Sequence, residues 1–194
     1  MYQRIGKDKC GSFWFTRFSL GCQNRMGAVS RQNKALSIPL LLLLLEYVEN
    51  KVESVSPISK VHKWSVFSAY VAVSYVISLR GNETFYLDLD GLNRHTELGG
   101  EDYFIIALFG QIKGETSDNN HIIPCINVTS SGIRIRDIVV RLINQKRSFG
   151  FVKGPAISDH KGVAWSTRIV DDLLVTVLED LYQDHARHFP TEVR

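Results

Sequence analysis

Apolar positions along the chain change their spacing several times, and each change predicts an element. Ile38, Pro39 and Leu40 to Leu45 make an apolar run of eight residues before Glu46. A bilayer span needs about 20, so this run predicts the buried start of a helix over about Pro39–Val55. Pro39 lies in its first turn, and polar Glu46, Glu49 and Asn50 follow. Ser56-Pro57 then breaks the chain and can start another helix. Trp64, Phe67, Ser68, Val71, Ala72, Tyr75, Val76 and Leu79 recur at three- and four-residue steps, which predicts a largely buried helix over residues 59–79. Gly81 interrupts it. A short helix through Phe85, Leu87, Leu89 and Leu92 is expected next, closing near Gly91.

Two apolar runs rich in β-branched and aromatic residues follow, Tyr103–Ile112 and His121–Val128, separated by the turn-forming cluster Gly114–Asn120. They predict a β-hairpin with a polar tip, and Lys113 sits where the first strand enters the turn. Helical spacing returns over residues 132–147 through Ile135, Ile138, Val139, Leu142 and Ile143, with Arg134 and Arg141 seven apart on the polar side. After a loop rich in Gly and Pro, Thr167 can cap a last helix. Its stripe is Ile169, Val170, Leu173, Leu174, Val177, Leu178, Leu181 and Tyr182, with Asp171 and Asp172 in the first turn. The expected class is α+β, mainly helical with a small antiparallel β-hairpin.

Composition sharpens this outline at a few points. A length of 194 residues suits one domain, and 44% hydrophobic residues allow a real core. Residues 1–36 stand apart as a basic and aromatic segment (Phe13, Trp14, Phe15, Phe18) without a clear period. They read as a linker or the remnant of another domain, which leaves 37–194 as the main domain. The net charge of +3 is small, but it is unevenly spread. Residues 1–36 carry seven basic residues against Asp8, a local +6. Residues 131–153 carry Arg134, Arg136, Arg141, Lys146, Arg147 and Lys153 against Asp137, a local +5. Residues 171–194 run acidic. Two basic blocks fit either a polyanion-binding face or an ordinary solvated surface. Cys10, Cys22 and Cys125 have no metal-ligand spacing and read as reduced thiols of an intracellular protein. The triplets at Asn82 and Asn127 match a glycosylation site, but with no signal peptide before them they read as chance.

Two places could carry chemistry. Arg80 ends an apolar run and Glu83 follows three residues later. An arginine held beside a core helix and oriented by an acid can grip two phosphate oxygens at once. The same spacing also fits a helix-end arginine that satisfies carbonyls and pairs with Glu83. Lys113 on a hairpin could donate a proton to a leaving oxygen, although lysine is commonplace in turns.

Taken in order, these pieces resemble a known family. "SYVISLRGNETFYLDLDGL" resembles the first active-site box of the tyrosine recombinases, the phage-integrase-like enzymes, with Leu-Arg-x-x-Glu followed by an apolar-acidic stretch. "YFIIALFGQIKGETSDNNHIIPCINV" resembles their catalytic hairpin, with Lys113 at its lysine. The helix at 132–147 and "GPAISDHKGVAWSTRIVDDLL" resemble the segments before the second box. The likeness spans roughly residues 20–190 and is nearest to recombinase-like proteins of eukaryotic mobile elements. It implies a partial catalytic core over 37–194, and a remnant of a core-binding domain at 1–36. It also implies DNA strand cleavage and rejoining without metal, ATP or other cofactor, and double-stranded DNA as the partner. Homo-oligomers on DNA and, in a eukaryote, a nuclear location would accompany it. Arg80 would bind the scissile phosphate, Glu83 would orient it, and Lys113 would protonate the leaving 5′ oxygen. Arg134, Arg136 and Arg141 would contact DNA. One departure matters. The family's second box, His-x-x-Arg, and the tyrosine nucleophile after it have no match. His185 and Arg187 are spaced by two, and Tyr182 precedes them on a core stripe. The expectation is therefore a chain truncated before that box and inactive by itself. The alternatives are a non-catalytic DNA-binding module or a helical protein-interaction domain.

Overall fold

The computed structural model describes residues 38–77, 83–95, 102–108, 121–185 and 187. Helix α1, Ile38–Ser54, buries Leu40, Leu41, Leu44, Leu45, Val48 and Val52 along one stripe, while Ile38 and Glu46 face solvent. The leucine run is therefore the core face of a helix. No described helix is long and apolar enough to cross a membrane. Pro57 starts helix α2, Ile58–Ile77, its carbonyl accepting from the Lys60 and Val61 N–H groups. Apolar residues surround α2, with Val66, Phe67, Tyr70, Val71, Ala72 and Val73 essentially inaccessible. This is the central helix of the core, as its nearly all-round apolarity requires.

The segment after α2 departs from expectation. In place of one short helix there is a 3-10 turn, Glu83–Tyr86, an extended pair at Leu87–Asp88, and then helix α3, Leu89–His95. Gly91 lies inside α3 instead of ending it. Distant backbone explains the split. Leu89 N–H donates to Gly154 O and Ala156 N–H to Leu87 O, each at 2.9 Å, with Asp88 opposite Pro155. Those bonds hold residues 87–88 extended, and Asp88 Oδ1 accepts the Asp90 N–H at 2.8 Å to begin a fresh helix. Long-range pairing overrides local periodicity here.

Strands β1, Tyr103–Leu108, and β2, His121–Ile126, pair antiparallel in the expected hairpin, with Tyr103 opposite Ile126 and Ile105 opposite Pro124. Alternation sends Phe104, Ile106 and Cys125 into the core. Helix α4, Ile135–Ser148, follows, and helix α5, Thr167–His185, comes last among the described elements. The α5 stripe holds with two shifts: Ile169 is 38% exposed, whereas Val175 is buried. Asp171 and Asp172 fall just beyond the first turn, where Arg168 reaches Asp172 at 4.0 Å. The fold is thus α+β, mainly helical, with one small two-stranded antiparallel sheet.

One core unites these elements. It draws Leu44 and Val48 from α1, Phe67 and Tyr70 from α2, Leu92 from α3, Phe104 from β1, Leu142 from α4 and Leu178 from α5. Burying a large aliphatic or aromatic side chain contributes about 1.5–3 kcal/mol each.

Candidate functional site

Of the two residues expected to do chemistry beside Glu83, Arg80 and Lys113 lie outside the described residues, as do the aromatic segment at 13–18, Cys10 and Cys22. Glu83 is described and is 8% exposed, at the first position of the 3-10 turn. Next to it Thr84 is wholly buried, its hydroxyl 2.7 Å from that of Ser74 on α2. The turn that carries the acid is thereby fastened to the central helix. Glu83 is drawn into the protein, and a carboxylate so placed requires compensating partners.

The three arginines expected on a DNA face have different surroundings. Arg134 is well exposed at the residue before α4, and its Nε lies 3.4 Å from Asp137. Arg136 is half-buried in the first turn, its N–H on Asn127 O at 3.4 Å. Arg141 turns inward. Its Nη1 and Nη2 donate to the two carboxylate oxygens of Glu49 on α1 at 2.6 and 2.7 Å, and Ser68 on α2 donates to the same carboxylate at 2.5 Å. Burial alone would raise the Glu49 pKa, but the bonds from Arg141 and Ser68 outweigh it and hold the carboxyl below its usual range. An open groove of about 550 Å³ runs past this arginine along α4, between Asp137, Asn144 and Ser148. A bidentate pair at this depth fastens three helices and leaves this guanidinium little capacity for DNA.

The most unusual chemistry in the described residues lies at the other end of α4. Lys146 is completely inaccessible, yet carries an ammonium group. All three of its protons are used: on Ser158 O at 2.8 Å, Ser158 Oγ at 2.5 Å and Asp159 O at 3.0 Å. His62 on α2, 1% exposed, brings its Nε2 to the same Ser158 carbonyl at 3.2 Å and its Nδ1 to the Gln145 amide at 3.3 Å. A carbonyl only accepts, so Nε2 carries the proton; Nδ1 then accepts, which calls for the Gln145 NH2 group at that contact. Burial pushes the Lys146 pKa down to about 8, opposed by Asp159, and the amine is still mostly charged at neutral pH. Burial, and then the Lys146 charge, push His62 down as well, so the ring is neutral. The Asp159 carboxyl resists its own desolvation because the Val163 and Lys161 N–H groups bind it, and its pKa falls.

In the sequence Lys146 stands out only as one member of the basic block at 131–153. The signal for its burial was present: it stands seven residues after Val139 and four after Leu142, on the apolar stripe of α4. Cys125 is buried in the sheet with its thiol pushed up to about 12, which fits an inert core residue. Among the described residues no group of three or more His, Cys, Asp or Glu could hold a metal. Comparison with protein-family models, curated proteins and solved structures returned no match.

Proposed function

We propose that this chain is a tyrosine-recombinase-like domain that holds duplex DNA, with Arg80 and Glu83 as its phosphate-binding pair and Lys113 as the donor to a leaving oxygen. The burial of Glu83 carries the reading. A surface ion pair at a helix end would leave the acid in water. Instead it lies under 10% exposed, on a turn bonded to the central helix and followed by residues 87–89, which are tied to the 154–156 loop. That is the construction expected of an acid that fixes a functional arginine and not of a solvated helix end. The elements run helix, 3-10 turn, short helix, hairpin, helix, and the resembling segments of the sequence fall on them in that order. With no His-x-x-Arg and no later tyrosine in the 194 residues, this chain binds DNA without cutting it.

Fluorescence anisotropy with a duplex of about 30 base pairs tests the reading. Affinity should fall steeply between about 50 and 200 mM salt. Arg80→Lys keeps the charge but loses the planar fork, and should bind about ten-fold more weakly. A chain that ignores duplex DNA at low salt refutes the proposal. A nicked suicide duplex should trap no covalent adduct, and an adduct would show that the nucleophile had been missed.

A further inference from the structure

Residues 157–165 fold back on themselves as a tight hairpin beyond α4. Trp165 N–H donates to Ile157 O at 3.0 Å, Ser158 lies opposite Ala164, and Asp159 N–H donates to Val163 O at 2.9 Å. The tip closes through Gly162 N–H to Asp159 O at 3.1 Å. The Asp159 carboxylate caps it from inside, accepting the Lys161 and Val163 N–H groups at 2.8 and 2.9 Å. The base is pinned by the three bonds from buried Lys146 and the one from His62. Aromatic rings brace the tip: Phe149 lies 6.2 Å from the His160 ring, and a Cβ on Gly162 would stand 2.8 Å from the ring of Phe151. A turn held from base to tip has little conformational entropy left to lose when it binds a partner.

The turn's own Asp159 carboxylate is taken up by backbone N–H groups, and the exposed charged side chains around the turn are cations. Lys161 is exposed at the tip, Lys153 in the loop two residues after Phe151, and Arg147 in the last turn of α4 two residues before Phe149. Lys63 is exposed beside His62, whose ring meets Phe149 at 5.1 Å. No described acid pairs with any of these four, whereas Arg134, Arg141 and Arg168 are matched by Asp137, Glu49 and Asp172. Charge compensation at a helix C-terminus accounts for Arg147 alone. It does not account for cations on the loop and the turn.

We propose that the 157–165 hairpin and the C-terminal turn of α4 form a duplex-DNA contact surface, in which Lys153, Lys161 and Arg147 neutralise backbone phosphates. This rests on the DNA-binding reading and moves the main contacts away from Arg134 and Arg141, to the opposite end of α4. The contact is electrostatic and indifferent to base sequence.

The full chain is titrated with a labelled duplex across a salt series, alongside Lys153→Ala/Lys161→Ala and Arg134→Ala/Arg136→Ala. Each phosphate contact contributes about 0.9 to the slope of log affinity against log salt. The hairpin double variant should therefore lose about two units of slope and about ten-fold or more in affinity near 100 mM salt. Both its side chains are exposed, so its melting temperature should match the parent's. The Arg134/Arg136 variant should lose less. If the hairpin variant binds like the parent, this surface is refuted while the DNA-binding reading stands. A parent that binds anionic phosphatidylserine vesicles but no duplex, or binds neither, overturns both.

Discussion

Lys146 shows how much one residue can decide. Burial depresses the pKa of its ammonium to about 8, at the point where α2, α4 and the 157–165 hairpin meet and the group faces His62, Asp159 and the carbonyls and hydroxyl it bonds on Ser158 and Asp159. Unfolding returns the amine to about 10.5, so between those values the unfolded chain holds one more proton and stability rises with pH. Cys125 has the opposite sign. Its thiol ionises near 9 when unfolded and near 12 when folded, so it opposes the rise from pH 9 upward. Tyr47, whose hydroxyl donates to Asp180, joins it above 10: burial first, and then that acid, raise it to about 12. Urea midpoints should therefore climb from pH 8 to 9, level off, and fall above about 10. Lys146→Met should lose the climb and cost about 1–3 kcal/mol at pH 7, because buried acceptors on Ser158 and Asp159 lose their donor. A climb that survives in that variant would assign it to another group. On the acid side, His62 is neutral when folded and its pKa is lowered. Its contribution is present above 6.5 and lost as pH falls, ahead of the Glu49 carboxyl.

At the scale of elements, local periodicity was legible wherever one face alone meets the core. Helices α1, α2, α4 and α5 and the β1–β2 pair fall within a few residues of the pattern. The reading failed at 83–92, where backbone bonds to residues 154–156 fix the conformation, because no local spacing encodes a partner some 65 residues away. Local spacing shows the 157–165 hairpin only as part of a Gly- and Pro-rich loop, for a similar reason. Its strands are very short, and its stability comes from Lys146 and two aromatic rings. Gly162 is the position on which this turn depends, with φ of +82° and no room for a Cβ. Gly162→Ala should destabilise by about 1–3 kcal/mol, from the unfavourable φ and from displacement of Phe151. The test is a chemical-denaturation midpoint beside that of Gly150→Ala, which shares a positive φ of +85° but has nothing within 4 Å of the new Cβ. Equal losses would show that the contact with Phe151 carries no weight.

At the scale of the molecule, the basic block at 131–153 divides between structure and surface, and this division was not legible in the sequence. Spacing puts Arg141 with Arg134 on the polar face because both lie off the main α4 stripe. Whether an off-stripe position meets solvent or a neighbouring helix depends on packing that no single segment specifies. Here α1 supplies Glu49 and α2 supplies Ser68, and the charge is used between helices. The two side chains are 30% and 31% exposed, between the surface case, worth about 0–1 kcal/mol, and the buried one, where losing a partner costs about 3–5. Glu49→Gln and Arg141→Gln should each cost about 1–3 kcal/mol, and the double variant clearly less than their sum, since neither then leaves an unmatched charge. A double-mutant cycle from urea midpoints at pH 7 measures that coupling. The same variants separate the two uses of positive charge: if Arg141 serves the fold, Arg141→Gln lowers the midpoint but leaves the salt slope of duplex binding unchanged. A slope reduced by about one with an unchanged midpoint would return Arg141 to the DNA face.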